Sequence, residues 1–262
     1  MMMETTTSKN ELALILVAAG SSARIGFDKT GTKIKKEYLP VKDGTVLSMA
    51  AKVFLSTLKF STVIVTYPFS DDKDELQANA KKSKEALFAD EFIKNYDADF
   101  LFVPGGETRQ ESVYDALETI EKANPNCSLV FIHDGARPFL KAETVELTYR
   151  AATEFGAAVP GLQPVETQKK IDENGFIVKH LVRSSLTAVQ TPQVFRFKPI
   201  LEAHRLAQES NKTFTDDTEI WDEFAAKRKD ENGESYSRVK VVLGDPENKK
   251  ITYPEDIKLL KD

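Results

Sequence analysis

Apolar residues in this chain fall into short solid runs, separated by stretches where they recur every three or four positions. Residues 12–20, LALILVAAG, form an unbroken apolar run that ends in glycine. That is the pattern of a strand buried on both faces of a parallel sheet. From Val46 the apolar positions fall at Met49, Ala50, Val53 and Phe54, which is helical spacing. The β-branched run 61–67 predicts a second strand, 99–106 a third that runs into a glycine pair, and 128–138 a fourth followed by a tight loop. Helices are predicted over 107–122 and 141–155, a short strand over 156–161, and an exposed helical region over the Ala/Lys/Glu-rich residues 71–95. This strand–helix alternation predicts an α/β fold, a Rossmann-like and mostly parallel sheet with helices on both faces. One domain over residues 1–262 is the expectation.

The segment 162–187 breaks the rhythm. Two alternating stretches, near 165–171 and 176–182, are joined by Asp172-Glu173-Asn174-Gly175. Asn-Gly is a strong hairpin signal, so a protruding β-hairpin arm is predicted, of the kind that packs on something else. The chain then returns to the domain through 188–195, helices from about 198 and about 216, and a last strand over 238–244. Residues 227–237 are polar and read as a mobile loop.

Composition narrows the function classes. Hydrophobic residues make up 41% and charged residues 29%, so a sizeable core is available and disorder throughout is excluded. A net charge of −5 argues against a broad nucleic-acid surface but leaves room for a local anion site. The single Cys127 excludes an intramolecular disulfide, and His133, His180 and His204 lack metal-ligand spacing. The run Leu12–Ala19 is too short to cross a bilayer, and MMMETTTSKN does not read as a signal peptide. The expectation is a soluble cytoplasmic enzyme or binding protein.

In open α/β sheets, ligands sit beyond the carboxyl ends of the strands. After the first strand come Ala18, Ala19, Gly20, Ser21, Ser22, Ala23 and Arg24, small residues that let backbone N–H groups approach an anion. Lys33, Lys35 and Lys36 add cationic side chains at the same edge. The pattern is neither a P-loop nor a full GxGxxG fingerprint. After the third strand, Gly105 and Gly106 permit close approach of a planar base, with Ser112 one turn into the next helix. After the fourth comes His133-Asp134-Gly135-Ala136-Arg137-Pro138, in which Asp134 is a natural Mg²⁺ ligand beside a phosphate and Arg137 can orient it. Lys250 follows the last strand and can return to the same crevice. No Ser/His/Asp or Cys/His triad is visible. Trp221 and the phenylalanines read as core, and His180 and His204 as surface or helix-packing residues.

Taken together, these segments resemble the cytidylyltransferase family that makes 4-diphosphocytidyl-2-C-methyl-D-erythritol. Ala18-Ala19-Gly20…Arg24 resembles that family's AAGxGxRMG, and Lys36-Glu37-Tyr38-Leu39 its PKQYL. Gly105 to Val113 is similar to GGxxRxxSV, and His133 to Pro138 to HDAARP. Glu166-Thr167-Gln168-Lys169 is a looser match to DTIK. Arg183 with Thr191-Pro192-Gln193 fits R…TPQ, and Thr215-Asp216-Asp217 fits TDE or TDD. Glu247 to Asp256 is close to ENIKITxPEDL. The matches run in the family's order over residues 12–257. Departures are Ser22 for Gly, Ile25 for Met, Lys35 for Pro, and a longer stretch between Arg24 and Lys36. Residues 70–98 and 226–237 also look longer than usual.

The resemblance implies a nucleotidyltransferase-type fold. It implies transfer of a cytidylyl group from CTP to 2-C-methyl-D-erythritol 4-phosphate with release of pyrophosphate, in non-mevalonate isoprenoid precursor synthesis. It places Arg24 and Lys36 on the α-phosphate and departing pyrophosphate, and Lys250 between the attacking phosphate and the α-phosphate. Asp134 is implied to hold Mg²⁺. Ala18, Ala19, Gly20, Gly106, Glu107, Ser112 and Gly135 are implied to surround the nucleotide. Thr167, Arg183, Thr191 and Thr215 are implied for the polyol phosphate, with 162–187 reaching a partner in a homodimer. The rival readings are a ribitol-5-phosphate cytidylyltransferase, which shares the fold and chemistry, and a non-catalytic nucleotide-binding regulator. No nucleic-acid or membrane partner is expected.

Overall fold

The computed structural model describes residues 11–26, 31, 34–210, 212–226 and 236–260. In chain order the elements are β1 (Glu11–Val17), β2 (Pro40–Val41), β3 (Gly44–Thr45), α1 (Val46–Thr57), β4 (Thr62–Tyr67), α2 (Lys73–Leu87), α3 (Glu91–Lys94) and β5 (Asp99–Pro104). There follow α4 (Arg109–Ala123), β6 (Cys127–Asp134), α5 (Ala142–Phe155), β7 (Ala157–Leu162), β8 (Lys169–Ile171), β9 (Ile177–His180), β10 (Ala188–Val189), β11 (Gln193–Arg196), α6 (Phe197–Glu209), α7 (Asp217–Ile220) and β12 (Lys240–Leu243).

The first apolar run becomes the centre of the sheet. β1 pairs in parallel with β4 on one side and β6 on the other. The main sheet runs β10-β7-β11-β6-β1-β4-β5, with β12 also pairing β7. β11 runs antiparallel to both of its neighbours, as β10 does to β7, and the other ladders are parallel. The solid run is explained by the period-2 alternation of a strand covered on both faces. Leu12, Leu14 and Leu16 pack with Leu47, Phe54 and Val145 on one side. Ala13 and Ile15 pack with Val113, Leu117, Ile200 and Trp221 on the other. The helices thus hold the sheet rigid from both faces, and the carboxyl ends of β1, β4, β5 and β6 lie along one edge.

The predicted elements form with a few differences. The region 71–95 gives two helices, and α2 buries Ser83, Ala86 and Leu87 on its inner side. Residues 188–195 split into β10 and β11 around Thr191-Pro192, where proline cannot donate to a ladder. The helix from about 216 is the four-residue α7, continued by a wider π turn over Trp221–Ala225. The small β2–β3 hairpin carried no clear pattern in the sequence. Residues 1–10, Lys33 and most of the 227–237 loop lie outside the described residues.

The interruption at 162–187 contains an antiparallel hairpin, separate from the main sheet. Its strands are shorter than expected, 169–171 and 177–180, because the chain turns at Arg183–Ser185 and Arg183 donates to the Val165 carbonyl at 2.8 Å. Gly175 takes φ +85° in the turn, the left-handed region that glycine enters without steric penalty. Every residue of β9 is exposed. A lone two-stranded ribbon is marginal in water, and this one carries Val165, Phe176 and Val182 in the open. Among the described residues no helix is long and apolar enough to cross a membrane.

Candidate active site

The strand ends open onto a cleft of about 880 Å³. Its lining brings together Ala19, Gly20, Arg24, Lys36, Gly106, Glu107, Ser112, Asp134 and Lys250, drawn from four separate loops. Arg109, Glu37 and Phe69 line it as well.

The loop after β1 starts in the core. Ala18 is fully buried and its amide donates to Thr66 Oγ1 at 2.9 Å, so that N–H is already paired. Ala19 and Gly20 emerge into the cleft. Ser22 then adopts φ +51°, a left-handed conformation that a glycine would take more easily. Arg24 is exposed, with its guanidinium 5.5 Å from the centroid of the Tyr253 ring. The lysine turn comes back against this loop. Lys36 N donates to Ser22 Oγ at 3.3 Å, and Lys35 Nζ donates to the Gly20 carbonyl at 2.6 Å. Lys36 is 8% exposed. Burial draws its pKa below the ordinary lysine value, Glu37 opposes the shift, and Lys250 adds to it.

The glycine pair is built by close packing. Gly105 N donates to the Tyr67 carbonyl at 2.8 Å, which pins the end of β5 to the end of β4. A methyl group at Gly105 would lie 2.2 Å from Ala19 Cβ, so the two loops touch only because residue 105 has no side chain. Thr108 and Glu111 form a capping box at the start of α4. Glu111 also accepts from Glu107 N at 2.7 Å, and Ser112 Oγ accepts from Gly106 N at 3.1 Å while donating to the Thr108 carbonyl at 2.9 Å. These internal bonds fix the loop's shape before any ligand arrives.

Asp134 is the electrostatic centre. Its Oδ2 lies 3.0 Å from Lys250 Nζ and 3.2 Å from Arg137 Nε, and its Oδ1 lies 3.8 Å from Arg109 Nε. Burial raises its pKa, but Lys250, Arg109 and Arg137 outweigh that and hold the carboxyl well below the usual carboxylate range. Arg109 is shared, its Nη1 lying 2.8 Å from the buried Asp217, which pairs in turn with His204. Burial disfavours the Arg109 charge, yet Asp217 and Asp134 more than restore it. Behind Asp134, its amide donates to Thr191 Oγ1 at 3.2 Å, and that hydroxyl bonds His133 Nδ1 at 2.9 Å. His133 Nε2 faces the Arg137 carbonyl at 3.3 Å, so the fitting tautomer is neutral with the proton on Nε2. Burial lowers the His133 pKa to about 4.

Besides Ala18, whose amide is already paired, five expected site residues stand outside the cleft lining. Gly135 donates its amide to the Val17 carbonyl at 3.0 Å and packs on Leu47 and Ala18, beneath the cleft floor. Thr191 is 4% exposed and supports Asp134 from behind. Thr215 is exposed and bonds Glu219. Thr167 and Arg183 lie on the arm, exposed and outside this chain's cleft lining. Conversely, Arg109, Asp217 and Thr66 carry polar contacts that no role was assigned to beforehand. Arg109 was visible as the arginine of the GGxxRxxSV match, whereas the Ala18–Thr66 bond joins residues 48 apart in sequence.

The sequence profile of the 2-C-methyl-D-erythritol 4-phosphate cytidylyltransferase family matches residues 12–261. The chain belongs to this family. A relative from Clostridium beijerinckii, named 2-C-methyl-D-erythritol 4-phosphate cytidylyltransferase, is 34% identical over 246 residues, covering 94% of this chain and 95% of the relative. One from Clostridioides difficile bearing the same name is 31% identical over 248 residues, covering 94% and 91%. Among solved structures, the 4-diphosphocytidyl-2C-methyl-D-erythritol synthase of Anaerococcus prevotii superposes with a TM-score of 0.72 at 25% identity, covering 96% of this chain and 94% of that one. Of the motif residues, Ala19, Gly20, Arg24, Lys36, Gly106, Ser112, Asp134 and Lys250 line the cleft, and the chain is a cytidylyltransferase.

Proposed function

We propose how this cleft carries out the family's reaction, transfer of a cytidylyl group from CTP to 2-C-methyl-D-erythritol 4-phosphate in isoprenoid precursor synthesis. The observation that carries the reading is the meeting of Lys36, Lys250 and Arg109 around Asp134, at the mouth of the Ala19–Gly20 loop. The nucleophile is a phosphate monoester whose second pKa lies near ~6, so it is already mostly dianionic at neutral pH. No general base is needed. A phosphate oxygen attacks the α-phosphorus of CTP, the new P–O bond forms, and the bond to the β-phosphate oxygen breaks with its electron pair leaving on pyrophosphate. The task is to bring polyanions together and to stabilise transferring charge, which falls to positioning and to cations.

Arg24 and Lys36 stabilise the α-phosphate and the departing pyrophosphate. Lys250 bridges the attacking phosphate to the α-phosphate. Gly106, Glu107 and Ser112 hold the cytosine end, and Ala19 and Gly20 let the triphosphate approach the backbone. Mg²⁺ usually keeps waters and binds through one or two carboxylates plus substrate phosphates. Among the described residues no cluster of three or more His, Cys, Asp or Glu could hold a metal alone, but one carboxylate in a cationic cleft fits an ion carried by the triphosphate. Asp134 is the residue that would hold it, and the ion would add positive charge beside the phosphates.

The chain works as one domain, 1–262, with 162–187 as its arm, in the cytoplasm and as a homodimer. Thr167 and Arg183 bind the methylerythritol phosphate in the partner's cleft. Their place outside this chain's own cleft lining, on an arm that exposes Val165, Phe176 and Val182, supports that reading. The test is pyrophosphate release with CTP and Mg²⁺, using methylerythritol phosphate and ribitol 5-phosphate side by side. Clear preference for the branched substrate is expected. Preference for ribitol phosphate would overturn the arm assignment, and no release with either would overturn the catalytic reading.

A further inference from the structure

Three residues of the cleft lining, Ser22, Lys35 and Glu37, come from the loop after β1 and the turn that follows it. They are separated by up to 15 residues, yet the fold gathers them into one contact group. Glu37 Oε2 accepts from Ser22 Oγ at 3.3 Å and pairs with Lys35 Nζ at 2.9 Å. The same Lys35 Nζ donates to the Gly20 carbonyl at 2.6 Å, and Lys36 N donates to Ser22 Oγ at 3.3 Å. Glu37 is 3% exposed and Ser22 9%. Ser22 at φ +51° is a non-glycine residue in the left-handed region, and a buried carboxylate needs partners; the Ser22 hydroxyl and the Lys35 ammonium supply two of them to Glu37.

We infer that Ser22, Lys35 and Glu37 form a clasp that ties the Gly20–Ser22 loop to the Lys35–Glu37 turn and so positions Lys36 in the cleft. Both contacts to Glu37 go to Oε2, so one carboxylate oxygen links the Ser22 loop to the turn that carries Lys36. The contacts hold the backbone on either side of Lys36 at the cleft wall, so all three are assigned as positioning residues that act through Lys36. This inference rests on the reading of Lys36 as the group that stabilises transferring charge.

The test compares Ser22→Gly, Glu37→Gln, the double variant and Lys36→Ala in steady-state pyrophosphate release, with thermal melts alongside. Ser22→Gly gives up two hydrogen bonds but relieves the backbone strain, so its Tm should fall by no more than about 4 °C and the variant should stay folded at assay temperature. A loss of activity in that variant is therefore not a folding loss. Displacement of a catalytic group by an ångström can lower rate by about 10²-fold, so each single variant is expected to lose about tenfold in kcat with the KM for CTP within about threefold. Because the two act through one contact group, the double variant should be no more than about twofold worse than the poorer single. Retention of kcat within about twofold in both singles, or losses that multiply in the double, overturns the clasp. Lys36→Ala separates the two failures. A collapse there with intact clasp variants sinks the clasp alone, whereas a loss under about threefold sinks the Lys36 role and the clasp with it.

Discussion

Substituting Gly105 by alanine tests whether the two cleft loops, after β1 and after β5, are held in register by contact. The added Cβ would lie 2.2 Å from Ala19 Cβ, 2.8 Å from Ser112 Oγ and 3.5 Å from the Tyr67 carbonyl. Two methyl carbons need about 3.8 Å, so the Ala19 side must retreat by roughly 1.5 Å. The β5 side cannot yield easily, because Gly105 N is bonded to Tyr67 O in the rigid sheet edge. Ser112 must also turn its hydroxyl, which loosens its bond to Gly106 N. Overpacking of this kind costs about 1–3 kcal/mol, or roughly 2–10 °C in Tm for a chain of this size. The effect on rate should be larger, since a 1 Å misplacement of a positioning element can cost about 10²-fold. Steady-state pyrophosphate release and a thermal melt measure both quantities. Adding Ala19→Gly removes the main obstacle and should recover most of the lost kcat/KM. The reasoning fails if Gly105→Ala keeps kcat/KM within about threefold of the parent, or if the double variant is no better than the single.

Two further outcomes follow from the geometry. Arg183→Ala should raise the KM for methylerythritol phosphate far more than that for CTP, because Arg183 sits on the arm and away from the nucleotide cleft; equal rises in both would contradict an arm-borne substrate site. The buried His133 is depressed to about 4, so the unfolded chain takes up a proton that the folded chain refuses. Its share of stability is complete above about 6.5 and is lost as pH falls towards 4, an effect on the order of 3 kcal/mol. His133→Gln should therefore flatten the acid limb of a Tm–pH profile, and an unchanged acid slope would refute the assignment.

Much of the architecture was legible because its causes are local. A solid apolar run such as 12–19 has one economical use in a chain of this composition, a strand covered on both faces. Glycines after strands marked where the backbone must turn, and the strand-end rule then pointed to Asp134, Lys36 and Lys250 as neighbours. The arm was legible from Asn174-Gly175, although its strand lengths were not, since these depend on where Arg183 turns back to Val165.

What the sequence determined by itself was most of the element order, the strand-end edge where the cleft opens and the charged residues gathered there. Only the tertiary structure decided how those residues are used. Ala18 gives its amide to Thr66, Gly135 and Thr191 brace the cleft from below, and Arg109 divides its charge between Asp134 and Asp217. The clasp around Lys36 likewise joins residues whose types look unrelated along the chain. The physical reason is range. Periodicity and turn chemistry act over a few residues, whereas the pairing of a buried polar group is settled by whichever partner the packed fold brings within 3 Å, however distant in sequence.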